Sequence, residues 1–218
     1  MDKKYYQLLK KQFSSKEAVL TEIINLSAIC ELPKATEHFM SDVHGEYDAF
    51  NHVLRNGSGS IKEKLRDCFP QFSSAEISSV ATLIYYPQEK LDSECQLQDK
   101  KLFEHYCRLN LVYLLKIVKF VGQKYTRSKV RKAFPEKFRY ILEELINEVD
   151  STTDKQDYFD SIISQLQNLG ELTRLIVALA DTIRRLTVDH LHVVGDIYDR
   201  GPYPVSYTHL TLPTNSRV

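Results

Sequence analysis

The sequence places a carboxylate and an imidazole two positions apart at the predicted end of a β-strand. The motif Asp42-x-His44-Gly45 follows the short apolar run His38-Phe39-Met40. Because the chain leaves the two-sided alternation of a strand here, and Gly45 permits a turn, both side chains can face one cation. The alternative is that Asp42 caps the following helix and His44 is a surface residue.

A second and rarer motif follows another predicted strand, and it reads Gly195-Asp196-x-x-Asp199-Arg200-Gly201. Asp196 at the strand end can bridge two cations, and Asp199 can orient a neighbouring group. The Arg200 guanidinium can bind a phosphate through two parallel hydrogen bonds. An Asp–Arg ion pair in a tight turn is the alternative, and the pattern favours the metal and phosphate interpretation over it.

Taken together, the two motifs resemble the first two motifs of the calcineurin-like metallophosphoesterases. This resemblance implies that Asp42 and His44 ligate one metal and that Asp196 bridges to a second. It also implies that Asp199 orients a neighbour and that Arg200 binds the substrate phosphate. Two divalent ions about 3.5–4 Å apart then activate water for direct attack on phosphorus, with no phosphoenzyme. Oxygen and imidazole ligands suit Mn²⁺ or Fe²⁺, and Zn²⁺ remains open.

Four further stretches narrow the resemblance to one branch of that superfamily, the class 3 fructose-1,6-bisphosphatases of Firmicutes-type bacteria. The stretches are NGSG at 56–59, ATLIYYP at 81–87, KYTRSKVRK at 124–132 and VDHLHVV at 188–194. The resemblance implies a gluconeogenic enzyme that removes the 1-phosphate of fructose 1,6-bisphosphate with Mn²⁺ as its ion. A protein phosphatase, a dinucleotide phosphatase and a non-catalytic regulatory or assembly module are the alternatives.

The resemblance extends from about the N-terminus to Pro204. Members of this family continue beyond that point with a Gly-Asn-His-Asp/Glu motif and further histidines, which are absent from this sequence. Residues 205–218 resemble the translation of a sequencing adapter, and we treat them as an artefact. We therefore expect the chain alone to hold about half of the site, to bind metal weakly and to hydrolyse little or no substrate.

Residues 119–139 form a basic segment with eight Lys or Arg side chains and a single acidic one, Glu136. A solvated helix face is the simpler interpretation. The alternative is an anion site for the distal phosphate of the sugar or for a phosphorylated effector. Its candidate residues are Arg127, Lys129 and Arg131.

The elements that position these motifs are mostly helices. Ser14 and Glu17 form a predicted capping box before the first apolar helix, and Pro135 is the expected first residue of another. Apolar residues recur at helical spacing through most of the chain between the two motifs. This helical pattern ends at a short β-branched run, residues 189–194. Two strand-to-loop junctions, each carrying Asp and Gly, are thus separated by a helical block.

The sequence therefore predicts a helix-rich α/β fold. The resemblance implies that the two motif-bearing parallel strands belong to a partial calcineurin-like metallophosphatase sandwich with a large α-helical insertion. N-terminal helices occupy 1–36, and the metallophosphatase core takes 37–55 and 190–204. The insertion occupies 56–189, and 205–218 form a disordered tail.

Composition excludes several other classes. The 218 residues are 43% apolar and 27% charged, as in globular proteins. The 29 basic residues balance 29 acidic ones, so overall charge favours neither a nucleic acid nor a membrane surface as partner. The sequence shows no secretory signal, and its four cysteines form no Cys-x-x-Cys pair, so we expect a cytoplasmic protein with reduced thiols. The oligomeric state is left open.

Overall fold

A computed structural model of the chain describes residues 3–34, 36–149 and 155–196. These residues form a helix-rich architecture with one small parallel sheet, which is consistent with the expected α/β class. The strands are β1 (Glu37–Met40) and β2 (His190–Val193). The helices are α1 (Lys3–Gln12), α2 (Lys16–Cys30), α3 (Tyr47–Asn56), α4 (Ser60–Cys68), α5 (Ser74–Tyr85), α6 (Pro87–Leu97), α7 (Lys100–Gly122), α8 (Arg127–Ala133), α9 (Arg139–Glu148), α10 (Gln156–Asn168) and α11 (Leu172–Thr187).

The two strands pair in parallel, with Glu37 opposite His190 and Met40 opposite Val193. Their inner face packs against α3, where Met40, Leu191 and Val193 surround the buried Val43 and Phe50. The outer face carries Glu37, Phe39, His190 and His192, all exposed. Parallel pairing directs both strand ends, and the motif that follows each, toward the same edge.

The helical body between the strands is built around α7 and α11, which lie against each other. Asp99 begins α7 by accepting a hydrogen bond from the amide of Leu102 at 3.0 Å. Both helices carry fully buried side chains, among them Leu111, Leu114, Leu115, Leu175 and Leu179. Among the described residues, this body contains the larger hydrophobic core, and the strands and α3 share a separate smaller one.

Two local predictions are wrong in detail. Ser15, not Ser14, caps α2, since its Oγ accepts the Ala18 amide at 3.1 Å. Its backbone is extended and the helix begins at Lys16, so the neighbouring serine lies one position too early. Pro135 does not begin a long helix either. It precedes a 3₁₀ turn at Glu136–Phe138, after which α9 starts at Arg139.

None of the helices in the described parts of the chain has both the length and the apolar character needed to cross a membrane.

The predicted tail at 205–218 and the portion 197–204 of the predicted core lie outside the described residues. The proposed domain division accordingly stays a prediction. A nearly continuous series of helices, α3 to α11, does separate the two strands.

Candidate metal centre

The first motif follows β1 in a turn before α3. The helix is capped by Glu46, which makes no side-chain capping bond, so Asp42 is not the cap of this helix. The Ser41 hydroxyl donates to Asp42 Oδ2 at 2.8 Å, and His44 Nε2 lies 3.6 Å from Asp42 Oδ1. The carboxylate and the imidazole thus lie side by side, as the metal interpretation requires.

The second motif meets the first where β2 ends. The His44 amide donates a hydrogen bond to the carbonyl oxygen of Asp196 at 2.7 Å. Beside it, the Val194 amide donates to the carbonyl oxygen of Met40 at 2.8 Å and extends the strand pairing. Asp196 is brought against the first motif by main-chain bonds, which are independent of side-chain rotamers.

Asp42, His44 and Asp196 form the candidate metal cluster. Each offers one ligand atom, and these three atoms lie within 4.8 Å of one another. Two carboxylates and one imidazole suit a hard or borderline divalent cation, and one ion placed among them can contact all three. The side chains are exposed or half-buried, so remaining coordination positions are open to water or substrate. The residues present fit a divalent metal.

All three cluster residues adopt left-handed backbone conformations, with φ of 57° at Asp42, 46° at His44 and 49° at Asp196. Non-glycine residues rarely do so, although Asp and His tolerate the region better than most. Among the described residues only one further non-glycine residue, Ser58, shares this feature. Such strain is often found where a site must hold side chains in place.

The remaining predicted site residues are distributed elsewhere. Asp199 and Arg200 lie outside the described residues. In the basic segment, Lys129 Nζ binds Asp189 Oδ1 at 3.0 Å, and Arg131 Nε binds Glu143 Oε1 at 2.7 Å. Arg127 is exposed at the start of α8.

The structure places Lys129 away from the candidate metal cluster. Lys129 contacts Asp189, the residue that precedes β2, whereas Asp196 follows that strand. The three steps from His190 to Val193 alone span about 10 Å. Two of the three cations have carboxylate partners, and the anion-site interpretation stays a prediction.

Sequence reasoning missed Asp189 itself. Its carboxylate is 2% exposed and accepts hydrogen bonds from Lys124 and Lys129. The available signal was an acidic residue directly before a β-branched run, a position where a carboxylate needs a partner if it is buried.

Comparison with protein families gives one decisive match. The profile described as Firmicute fructose-1,6-bisphosphatase matches residues 4–210. The chain belongs to this family. The match covers the metal cluster, the helical body and the positions of Asp199 and Arg200, and it confirms the class 3 resemblance.

Curated relatives agree with this family assignment. The chain is 99% identical over 204 residues to a class 3 fructose-1,6-bisphosphatase of Lactococcus lactis subsp. cremoris (strain MG1363). The aligned residues cover 94% of this chain and 32% of that protein. It is 50% identical over 206 residues to the protein of that name from Oceanobacillus iheyensis, and the aligned residues cover 94% of this chain and 32% of that relative. The Clostridium botulinum (strain Alaska E43 / Type E3) relative is 49% identical over 202 residues, which cover 92% of this chain and 30% of the relative.

The chain thus spans about a third of the length of these curated relatives. No solved structure matches it.

Proposed function

We propose that the full-length protein hydrolyses fructose 1,6-bisphosphate to fructose 6-phosphate and phosphate in gluconeogenesis. The observation that carries the proposal is the meeting of Asp42, His44 and Asp196, whose ligand atoms lie within 4.8 Å in a chain of this family. The relatives that share this sequence are named for the same reaction. The cytoplasmic location expected from the sequence stays part of the proposal.

In this proposal Asp42, His44 and Asp196 hold divalent metal, with Mn²⁺ as the ion and Asp196 as the bridge to a second. Oxygen and imidazole donors are the ligands that Mn²⁺ accepts in proteins. Bound metal supplies charge neutralisation at the phosphoryl oxygens and makes water more acidic. The Ser41 hydroxyl, through its bond to Asp42 Oδ2, fixes that carboxylate so that the other oxygen faces His44.

Substrate contacts are assigned to the residues that follow Asp196. Arg200 binds the substrate phosphate through its planar guanidinium, which matches two phosphate oxygens at once. Asp199 orients a neighbouring group of the site. Both belong to the matched part of the chain and come three and four positions after the bridging carboxylate.

The proposal includes a calcineurin-like sandwich in the full-length protein. Purely parallel sheets are covered on both faces, yet the outer face of the β1–β2 pair is exposed, with Phe39 at 70%. A two-stranded sheet is also marginal alone. Both features support additional strands and a second layer in the remaining two thirds of the protein.

The test uses the full-length Lactococcus lactis relative, with Asn in place of the residues equivalent to Asp42 and Asp196. We expect each change to lower Mn²⁺-dependent phosphate release by at least about a hundredfold, because a neutral amide is a weaker ligand. The equivalent of Asp67→Asn, an exposed α4 residue paired with Lys64, is the matched control.

Substrate comparison separates the alternatives. Fructose 1,6-bisphosphate should be preferred over a phosphopeptide and over a dinucleoside polyphosphate in the same assay. Preference for either of the latter would replace the proposal with another phosphatase. Full activity after both Asn substitutions would favour a regulatory or assembly module instead.

A further inference from the structure

Asp189 is a nearly inaccessible carboxylate at the start of β2, with its side chain 2% exposed. Its Oδ2 accepts hydrogen bonds from Lys124 Nζ and from the Thr36 amide, both at 3.0 Å. Its Oδ1 accepts from Lys129 Nζ at 3.0 Å. A buried carboxylate is costly unless its oxygens are satisfied, and here both are.

The cation that faces Asp189 is equally engaged. Lys124 Nζ also donates to Thr36 Oγ1 at 2.8 Å and to the carbonyl oxygen of Thr187 at 3.2 Å, so its three protons all have acceptors. The ammonium groups of Lys124 and Lys129 lie 4.9 and 4.1 Å from the centre of the Tyr125 ring. We call Thr36, Lys124, Tyr125, Lys129 and Asp189 the Asp189 cluster.

The place of this cluster in the fold is informative. Thr36 directly precedes β1 and Asp189 directly precedes β2, while Lys124 and Lys129 belong to the connection between α7 and α8 and to α8 itself. One carboxylate therefore joins the starts of both strands to the helical body. The metal cluster lies at the other ends of the same two strands.

The register of β1 against β2 links the Asp189 cluster to the candidate metal cluster, because the two clusters lie at opposite ends of the same strands. Each strand has only four residues and an exposed outer face, so their alignment depends on a small set of contacts. These are the packing of the inner face on Val43 and Phe50, the main-chain bonds at the strand ends, and the Asp189 carboxylate, which alone among them also binds the helical body through Lys124 and Lys129. A shift of one residue exchanges the inner and outer faces, and a shift of two moves Asp196 by about 7 Å relative to His44. Either shift separates the metal ligands.

We infer that Asp189 is a positioning residue, which ties the starts of both strands to the helical body and so holds Asp196 against Asp42 and His44. The inference rests on the proposed metal function of those three residues. It also gives two lysines of the basic segment a structural role, since Lys124 and Lys129 bind the Asp189 carboxylate.

The test measures the bond between the two motifs directly, without metal. In Asp189→Asn the His44 amide, which donates to Asp196, should exchange with solvent about tenfold faster or more under conditions where the chain stays folded. Glu143→Gln removes the ion pair with Arg131, away from the strands, and should leave this exchange unchanged. Unchanged His44 exchange in folded Asp189→Asn would overturn the inference.

A paired variant separates positioning from stability. Lys124→Met with Asp189→Leu removes the buried carboxylate together with its buried partner, so the thermal midpoint should recover toward that of the unsubstituted chain. Fast His44 exchange should nevertheless persist, because the strand starts have lost the side-chain connection to the helical body. Slow exchange in this stable variant would assign Asp189 to stability alone.

Mn²⁺ titration of the same variants distinguishes failure of the metal-site proposal from failure of the positioning role of Asp189. Asp189→Asn should weaken Mn²⁺ binding by about tenfold or more, and Asp196→Asn should weaken it at least as much. If Asp196→Asn has no effect, the metal proposal fails, and the His44 exchange still decides the positioning role.

Discussion

The amide of His44 donates a hydrogen bond to the carbonyl oxygen of Asp196 at 2.7 Å, and this bond joins two motifs that lie far apart in the sequence. Both residues have left-handed backbones, at φ of 46° and 49°. A main-chain bond between two strained turns brings the side chains of the candidate metal cluster together without a cation. The arrangement is preorganised, which lowers the cost of binding.

Substitution of Asp196 by Asn should weaken metal binding without unfolding the chain. Asn tolerates the left-handed region as well as Asp does, so the thermal midpoint should change by less than about 2 °C. The neutral amide should weaken Mn²⁺ binding by on the order of tenfold or more, as measured by calorimetric titration of the chain. Asp67→Asn changes the charge equally at an exposed position and should bind Mn²⁺ normally. Equal affinities in the two variants would contradict the assignment of Asp196 as a ligand.

The Asp189 carboxylate should make stability depend on pH in the acid range. Burial alone would raise the pKa of Asp189, but the nearby Tyr125 hydroxyl and the hydrogen bonds from Lys129, the Thr36 amide and Lys124 lower it from 3.8 to about 2. A folded-state pKa below the unfolded value stabilises the fold above the unfolded value, and the stabilisation is lost as pH falls toward the folded value. Burial also lowers the pKa of Lys124, which offsets part of the gain.

We therefore expect the difference in unfolding free energy between the unsubstituted chain and Asp189→Asn to be about 2 kcal/mol at pH 6. It should shrink as pH falls from about 4 to about 2. Urea unfolding at several pH values measures it, and other carboxylates cancel because both chains contain them. A difference that stays constant over this range would contradict the lowered pKa.

Cysteine reactivity should follow burial. Cys107 is 2% exposed, and burial, with smaller contributions from Cys95 and Glu104, raises the pKa of its thiol to about 12. Because the thiolate is the reactive form, a rise of three units above the ordinary 9.0 lowers its reactivity about a thousandfold near neutral pH. Cys30 and Cys95 are exposed and should be labelled first by a thiol reagent. Mass spectrometry of the labelled chain checks this, and equal rates at Cys95 and Cys107 would contradict it.

The α7–α11 interface should dominate the stability of the helical body. Leu114 of α7 is fully buried, so Leu114→Ala should cost about 3 kcal/mol of unfolding free energy through lost contacts and a residual cavity. Leu97 is 78% exposed, and Leu97→Ala should change stability by less than about 0.5 kcal/mol. Urea unfolding followed by circular dichroism measures both. A cost below about 1 kcal/mol at Leu114 would show that α7 and α11 pack loosely.

Sequence patterns predicted the elements whose signals are local. The apolar spacing from Leu172 to Leu186 gave a helix that the structure shows at Leu172–Thr187, because one buried stripe repeats along it. The sequence also predicted that the side chains of Asp42 and His44 lie side by side, because only one residue separates them. The cap at Ser15 could not be distinguished from one at Ser14, because either serine can accept the bond and only the path of the chain selects between them.

Contacts between residues far apart in the sequence could not be predicted from such local patterns. Lys129 has the same sequence signature as a solvated or phosphate-binding lysine, and only the folded chain brings it to Asp189, sixty positions away. Burial of that carboxylate depends on how α8 and both strands meet, and no periodicity encodes this. The main-chain bond between His44 and Asp196 was invisible for a related reason, since every residue other than proline carries the same donor and acceptor.

Gly57 ends α3 and precedes the helical body with φ of 58°, and its replacement tests whether this position needs glycine for conformation or for space. A Cβ here would lie 3.4 Å from Val188 Cγ2 and 3.6 Å from Thr187 Cγ2, which is ordinary contact. Gly170 has φ of 71°, and a Cβ there would meet nothing within 4 Å. Because both alanine variants incur the same left-handed strain, each should cost about 1 kcal/mol of unfolding free energy in urea titrations. A cost at Gly57 that exceeds the cost at Gly170 by more than about 2 kcal/mol would instead show that α3 and the residues before β2 approach too closely for any side chain.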